Sequence, residues 1–164
     1  MTGPAAEPRP LPRHRLAVAM VEPQIAPNTG NVARLCVATG AELHLVRPLG
    51  FVLTDAKLRR SAMDYWPRLR LTVHDDLAAF EKAVAGRRLW LCENGAATSI
   101  WDAPFADGDV LVFGSETHGL PPAFCQRYAA TLVGVPQAAG ERCLNVATAA
   151  GAVLLEALRQ INSA

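Results

Sequence analysis

The stretch Pro23-Gln24-Ile25-Ala26-Pro27-Asn28-Thr29-Gly30-Asn31-Val32-Ala33-Arg34-Leu35-Cys36 puts one arginine on a helix whose opening turn is crowded with polar groups. Pro27 stiffens the approach, Asn28 or Thr29 can cap, Gly30 permits close backbone approach, and Arg34 follows one turn later. A guanidinium keeps its proton in ordinary protein settings, so Arg34 suits orienting a phosphate or stabilising a developing oxyanion. A second turn, Gly114-Ser115-Glu116-Thr117-His118-Gly119-Leu120-Pro121, brackets a carboxylate, hydroxyls and an imidazole between glycines directly after an apolar run. A polar turn of that kind at a strand end is a place for chemistry. The third segment, Cys143-Leu144-Asn145, caps the last helix. Asn28, Asn31 and Asn145 each offer a donor and an acceptor, and each is equally explicable as a cap or turn residue.

These groups need elements to hold them. Apolar runs recur at Leu16 to Val21, Leu43 to Val46, Leu69 to Val73, Leu89 to Cys92, Val110 to Phe113 and Leu132 to Val135. Helical patterns lie between or after them: Asn28 to Thr39 closing at Gly40, Asp76 to Ala85 closing at Gly86, and Asn145 to Ile161. Pro121 is suited to opening another. Short, nearly continuous apolar strands alternating with helices predict an α/β fold, a mainly parallel sheet with helices on both faces. Ligands on such sheets gather beyond the carboxyl ends of the strands. The last helix is apolar on nearly every side, with small residues at 147 and 150–152, which predicts that a second subunit covers part of it.

With 164 residues, 51% hydrophobic and 19% charged, the chain fits one globular domain. Residues 1–15, rich in proline and arginine, read as a disordered tail, and residues 16–164 as the domain. No apolar run approaches the roughly 20 residues that a membrane span needs. Four widely spaced cysteines without a Cys-x-x-Cys pair predict reduced thiols in a cytoplasmic protein, and no His or Cys spacing suggests a metal. A net charge of +1 gives no global nucleic-acid signature, but Lys57, Arg59 and Arg60 cluster. Phosphate cradles of the Gly-x-Gly-x-x-Gly or Gly-x-x-x-x-Gly-Lys kind and the Gly-x-Ser-x-Gly elbow are all absent from the sequence.

Taken together, Pro-Gln-Ile-Ala-Pro-Asn-Thr-Gly-Asn, Phe-Gly-Ser-Glu-Thr-His-Gly-Leu-Pro and Cys-Leu-Asn-Val resemble, in order and spacing, the three motifs of the SPOUT methyltransferases. Within that superfamily they look like the TrmL (YibK-type) tRNA ribose 2′-O-methyltransferases, and Lys57 to Trp66 resembles that subgroup's basic signature. The resemblance spans about residues 16 to 161. It implies a carboxyl-terminal trefoil knot, S-adenosylmethionine as cofactor, no metal, tRNA as partner with its wobble nucleotide as target, and a homodimer. Methylation of another tRNA position or of rRNA, or an inactive RNA- or cofactor-binding module, are the alternatives.

By the same resemblance Arg34 is the catalytic arginine; Glu116, read as pairing with or orienting it, and Asn145 complete the expected catalytic group. The cofactor is expected against Cys92, Glu93, Asn94, Gly95, Gly114, Val135, Cys143 and Leu144. RNA is expected against Asn28, Asn31, Lys57, Arg59, Arg60, Tyr65 and His118, with Tyr65 or Trp66 available to stack on an unpaired base. TrmL-type sequences usually carry arginine where this chain has His118 and serine where it has Cys143. The imidazole weakens the carry-over of a permanent cation, and the thiol weakens that of a side-chain hydrogen bond.

Overall fold

The structure, a computed structural model, describes residues 10–53 and 66–163. Lys57, Arg59, Arg60 and Tyr65 lie outside the described residues. In chain order the regular elements are β1 (Ala17–Val21), α1 (Ala26–Thr39), β2 (Glu42–Val46), β3 (Leu71–His74), α2 (Leu77–Ala83), β4 (Leu89–Cys92), β5 (Val110–Phe113), α3 (Pro122–Arg127), β6 (Leu132–Val133) and α4 (Val146–Ser163). Short 3-10 turns sit at Trp66–Arg68 and Ala129–Thr131. No helix among the described residues is long and apolar enough to cross a membrane.

All six strands form one sheet in the order β3-β2-β1-β5-β4-β6, and every pairing is parallel. Because side chains alternate along a strand, β1 feeds two cores. Leu16, Val18 and Met20 pack with Val32, Ala33 and Cys36 of α1 and with Ala150, Val153, Leu154 and Ala157 of α4. Ala17, Ala19 and Val21 face the other way, with Phe80 of α2 and Phe124 of α3. The helices therefore cover both faces, as the apolar runs require.

Several boundaries move for local reasons. α1 begins two residues before the sequence reading places it, with Ile25 at its cap position and Pro27 inside the first turn. Neither Asn28 nor Thr29 is the cap. α2 is shorter than the predicted Asp76 to Ala85, because Asp76 is its cap and accepts the Ala79 N–H at 2.7 Å. β3 is displaced toward His74, and β6 stops at Val133, where Gly134 continues only as an isolated bridge to Ser99. His14 and Arg15, read as tail, are tied to the domain: His14 Nε2 lies 2.8 Å from the Thr39 carbonyl oxygen, and Arg15 Nε donates to Asp107 at 3.1 Å.

The strand order reverses between β1 and β5, which pair with Met20 opposite Phe113. The crevice beyond their carboxyl ends is where an open parallel sheet keeps its ligand site. The turn into α1 leaves β1 there, and the 114–120 turn leaves β5 there.

Candidate active site

At that switch point Glu116 closes the gap between the two turns. Its carboxylate accepts the Gln24 N–H at 2.7 Å, the Ile25 N–H at 3.2 Å and Asn28 Nδ2 at 3.1 Å. A carboxylate at the opening turn of α1 meets the positive end of that helix and its unfilled backbone donors. With its amide nitrogen committed to Glu116, Asn28 turns its Oδ1 to accept from Asn145 Nδ2 at 2.9 Å. Asn145 Oδ1 in turn accepts the Ala147 and Thr148 N–H groups at 2.9 and 3.4 Å and so caps α4. One chain of hydrogen bonds thus joins all three motif segments.

The turn after β5 is compact. Ser115 and Gly119 exchange backbone hydrogen bonds at 3.1 and 2.9 Å. A Cβ at Gly114 would sit 2.1 Å from the Gly119 carbonyl carbon, so only glycine fits. Glu93, at the end of β4, accepts the Leu120 N–H at 2.6 Å and pins the turn from the other side. Gln137 Nε2 donates to Asn94 Oδ1 at 2.9 Å and ties the segment before α4 to the one after β4.

These segments enclose a cavity of about 500 Å³. Seven of the eight expected cofactor residues line it: Cys92, Glu93, Asn94, Gly114, Val135, Cys143 and Leu144. Gly95, the eighth, does not. Glu116, Asn145, Asn28 and His118 line it as well. Asn28 is 9% exposed and held between Glu116 and Asn145, which makes it a strut of the site. Arg34 and Asn31 are exposed on α1 and are not among the lining residues. Sequence reasoning did not single out Phe113, Val133, Gln137 or Ala149, which also line the cavity. The first two lay in strands already recognised, and Gln137 offered no signal before its pairing with Asn94 was visible.

Phe113, Val133, Val135, Leu144, Val146 and Ala149 give the cavity an apolar body, while its charged lining among the described residues is Glu93 and Glu116. No lysine or arginine among the described residues lines it. All four cysteines are free thiols; Cys143 is exposed at the cavity, and burial pushes the Cys92 thiol well above the ordinary range.

Residues 15–155 match the SpoU rRNA Methylase family. The chain belongs to this family. Among relatives of the SpoU family, a protein of Burkholderia pseudomallei (strain 1106a) named tRNA (cytidine(34)-2′-O)-methyltransferase is 45% identical over 146 residues, covering 87% of this chain and 94% of its own. One of Escherichia coli (strain K12) with the same name is 37% identical over 147 residues, covering 89% and 94%. A solved structure described as giving structural insights into the 2-OH methylation of C/U34 on tRNA superposes with a TM-score of 0.88 at 40% identity, over 92% of this chain and 99% of its own. The SpoU methyltransferase AviRb of Streptomyces viridochromogenes, solved in complex with the cofactor AdoMet, superposes with a TM-score of 0.81 at 27% identity, over 92% of this chain and 59% of its own. The SpoU match takes in all three motif segments and the cavity between them.

Proposed function

We propose that this chain is an S-adenosylmethionine-dependent tRNA ribose 2′-O-methyltransferase that modifies cytidine or uridine at wobble position 34, the position named for its relatives. The observation that carries the reading is the cavity at the β1/β5 switch point, built by the three motif segments in a chain 45% identical to a protein of that name. Residues 16–164 act as one domain in a cytoplasmic homodimer, with the carboxyl-terminal part threaded as a trefoil knot.

The cavity suits the cofactor. Its size falls in the range of about 300–1,000 Å³ usual for small-molecule sites. Its apolar walls accept an adenine ring, and two carboxylates with no opposing lysine or arginine among the described residues accept a cationic sulfonium. When bound, the cofactor supplies an electrophilic methyl carbon. Cys92, Glu93, Asn94, Gly114, Val135, Cys143 and Leu144 hold it, with Gly95 shaping the turn next to Asn94. Glu116 and Asn145 keep the cavity's edge in register, and Arg34 orients RNA phosphate and stabilises charge developing on the sugar oxygen. Since Arg34 sits on α1 away from its own cavity, it acts most directly where a partner brings α1 to a second cavity. Asn28, Asn31, Lys57, Arg59, Arg60 and Tyr65 are the RNA side, and His118 meets the target nucleotide at the cavity edge.

Purified protein, labelled cofactor and unmodified bulk tRNA and rRNA test this in one experiment. The expected result is label at the 2′-oxygen of nucleotide 34 of tRNA, reduced at least about 100-fold by Arg34→Ala. Label confined to rRNA would move the substrate, and equal background from wild type and Arg34→Ala would remove the activity.

A further inference from the structure

The proposed reaction, on which this inference rests, leaves one proton to be placed: that of the attacked 2′-hydroxyl. A guanidinium does not take it, because arginine is already protonated. Among the described side chains lining the cavity, five can titrate: Cys92, Glu93, Glu116, His118 and Cys143. Both oxygens of Glu116 are held by three N–H donors, and Glu93 accepts the Leu120 N–H through Oε1 with its carboxylate set beside Gly119, so both groups serve to hold the turn. Burial, with Glu93 adding to it, pushes the Cys92 thiol up and out of use. A thiolate at Cys143 is a strong carbon nucleophile, so it would compete for the methyl group instead of relaying a proton.

His118 is placed differently. Its ring is exposed at the cavity edge, and Nδ1 lies 2.7 Å from Thr117 Oγ1, which lies 3.0 Å from Ser115 Oγ. Ser115 Oγ also accepts the Thr117 backbone N–H at 3.3 Å. Two polarities fit these contacts, and in one of them Nδ1–H donates to Thr117 Oγ1 while the Thr117 hydroxyl donates to Ser115 Oγ. In that arrangement the hydroxyls fix the tautomer and the ring plane, and Nε2 is left with a free lone pair.

We propose that His118 is the general base, its Nε2 accepting the ribose 2′-hydroxyl proton as the methyl group transfers. The O–H bond breaks toward Nε2, the oxygen's electron pair forms the bond to the methyl carbon, and the carbon–sulfur pair passes to sulfur, leaving a neutral thioether. The imidazolium then loses its proton to water, which reaches the exposed ring. Thr117 and Ser115 are positioning residues. The charged groups facing the ring are Glu93 from the end of β4 and Glu116 from its own turn; α1 and α4 present Asn28, Val146 and Ala149, and the 137–145 segment presents Gln137, Cys143, Leu144 and Asn145. No described cation lines the cavity to oppose a positive charge on the ring.

The test combines single-turnover methylation of tRNA between about pH 5.5 and 8.5, tRNA affinity over the same range, and NMR titration of the His118 ring in the S-adenosylhomocysteine-bound protein. Expected is a rate that rises with pH along the ring's own titration and then levels, with tRNA affinity flat. His118→Gln lowers the plateau on the order of 100-fold and removes the rise, with affinity for tRNA and S-adenosylhomocysteine unchanged. Thr117→Val lowers the plateau but keeps the rise, and Thr117→Ser restores it. A His118→Gln enzyme with the wild-type rate and profile overturns the assignment while leaving the methyltransferase reading intact. So does tRNA affinity that tightens in acid only when His118 is present, because that makes the ring a phosphate contact. Wild-type protein inert toward every RNA overturns both.

Discussion

The hydrogen bonds of Glu116 make a quantitative claim about single residues. Three N–H donors converge on two carboxylate oxygens, and the third passes the constraint through Asn28 to Asn145. Glu116→Gln keeps the size of the side chain but turns one acceptor into a donor facing another donor. Leaving a partly buried N–H without its partner costs about 1–3 kcal/mol. Thermal unfolding should therefore shift down by roughly 2–12 °C in a chain of this length. Because Glu116 and Asn28 act in one network, Glu116→Gln and Asn28→Ala should be non-additive by about 0.5–3 kcal/mol in a double-mutant cycle. Additive losses would show that the two side chains stabilise the fold separately. The sequence made Glu116 visible as a group at a strand end, but not what it does. The sequence reading offered Glu116 as a partner for Arg34, and only the packing of β1 beside β5 brings residue 116 to the amides of residues 24 and 25, some ninety positions away. Asn28 gains a structural task for the same reason: it lines the cavity and, held between Glu116 and Asn145, also braces it.

At the scale of elements, periodicity and caps were enough to read six strands, the parallel sheet and the helices on both faces, because a strand buried on two sides has to be apolar throughout. The edges were harder. β3 and β6 are outermost and short, so fewer neighbours fix their ends, and their bounds drift from the apolar runs. The same edge carries a feature that no motif announced. His44 of β2 and His74 of β3 stack with ring centroids 5.1 Å apart, His44 Nδ1 lies 2.8 Å from His74 Nε2, and both rings pack edge-on against Phe80 of α2. One nitrogen must donate and the other accept, so the pair tolerates no second charge. Burial, with His74 alongside, pulls His44 down to about 4, and burial lowers His74 as well. The sign follows directly. The folded state disfavours protons that the unfolded chain binds from about pH 6.5 downward, so stability is full above that value and falls as the pH drops toward 4. For His44 the loss is on the order of 3 kcal/mol. Urea midpoints at pH 7.5 and 4.5 should differ accordingly, and His44→Leu with His74→Leu should flatten the difference. A wild-type midpoint that stays level across that range would contradict the account. Glu42 offers an internal control. Burial raises its carboxyl, but the Arg87 hydrogen bond at 2.9 Å and the charges of Arg87 and Arg70 outweigh that and hold it low, so its contribution is lost only at more acid pH.

For the whole molecule, the charge distribution and the exposed apolar surface point the same way. The cavity carries two carboxylates and no described lysine or arginine, yet the proposed substrate is a polyanion whose binding rests on phosphate neutralisation. The proposed reading takes the cations from beyond the cavity: from Lys57, Arg59 and Arg60, and from Arg34 of a second copy. α4 shows where that copy would sit. Leu155 is 54% exposed, and Trp101, 69% exposed, shares a shallow depression with it, with Ala152, Val135 and Pro136, and with Glu156 and Arg159, whose charges pair with each other. Ile25 and Leu144, 44% and 41% exposed, add apolar surface near the cavity itself. Large side chains grouped in this way are uncommon on a monomer's surface. Leu155→Asp puts a charge on that face without touching the sheet or the cavity, so the fold should survive it. Sedimentation should then show wild type as a dimer and the variant as a monomer, with an unchanged far-ultraviolet spectrum and methyl transfer reduced in proportion to the dimer lost. If the variant is monomeric yet fully active, each chain completes its own site and Arg34 has no role across an interface; if wild type is itself a monomer, the outer face of α4 belongs to some other partner.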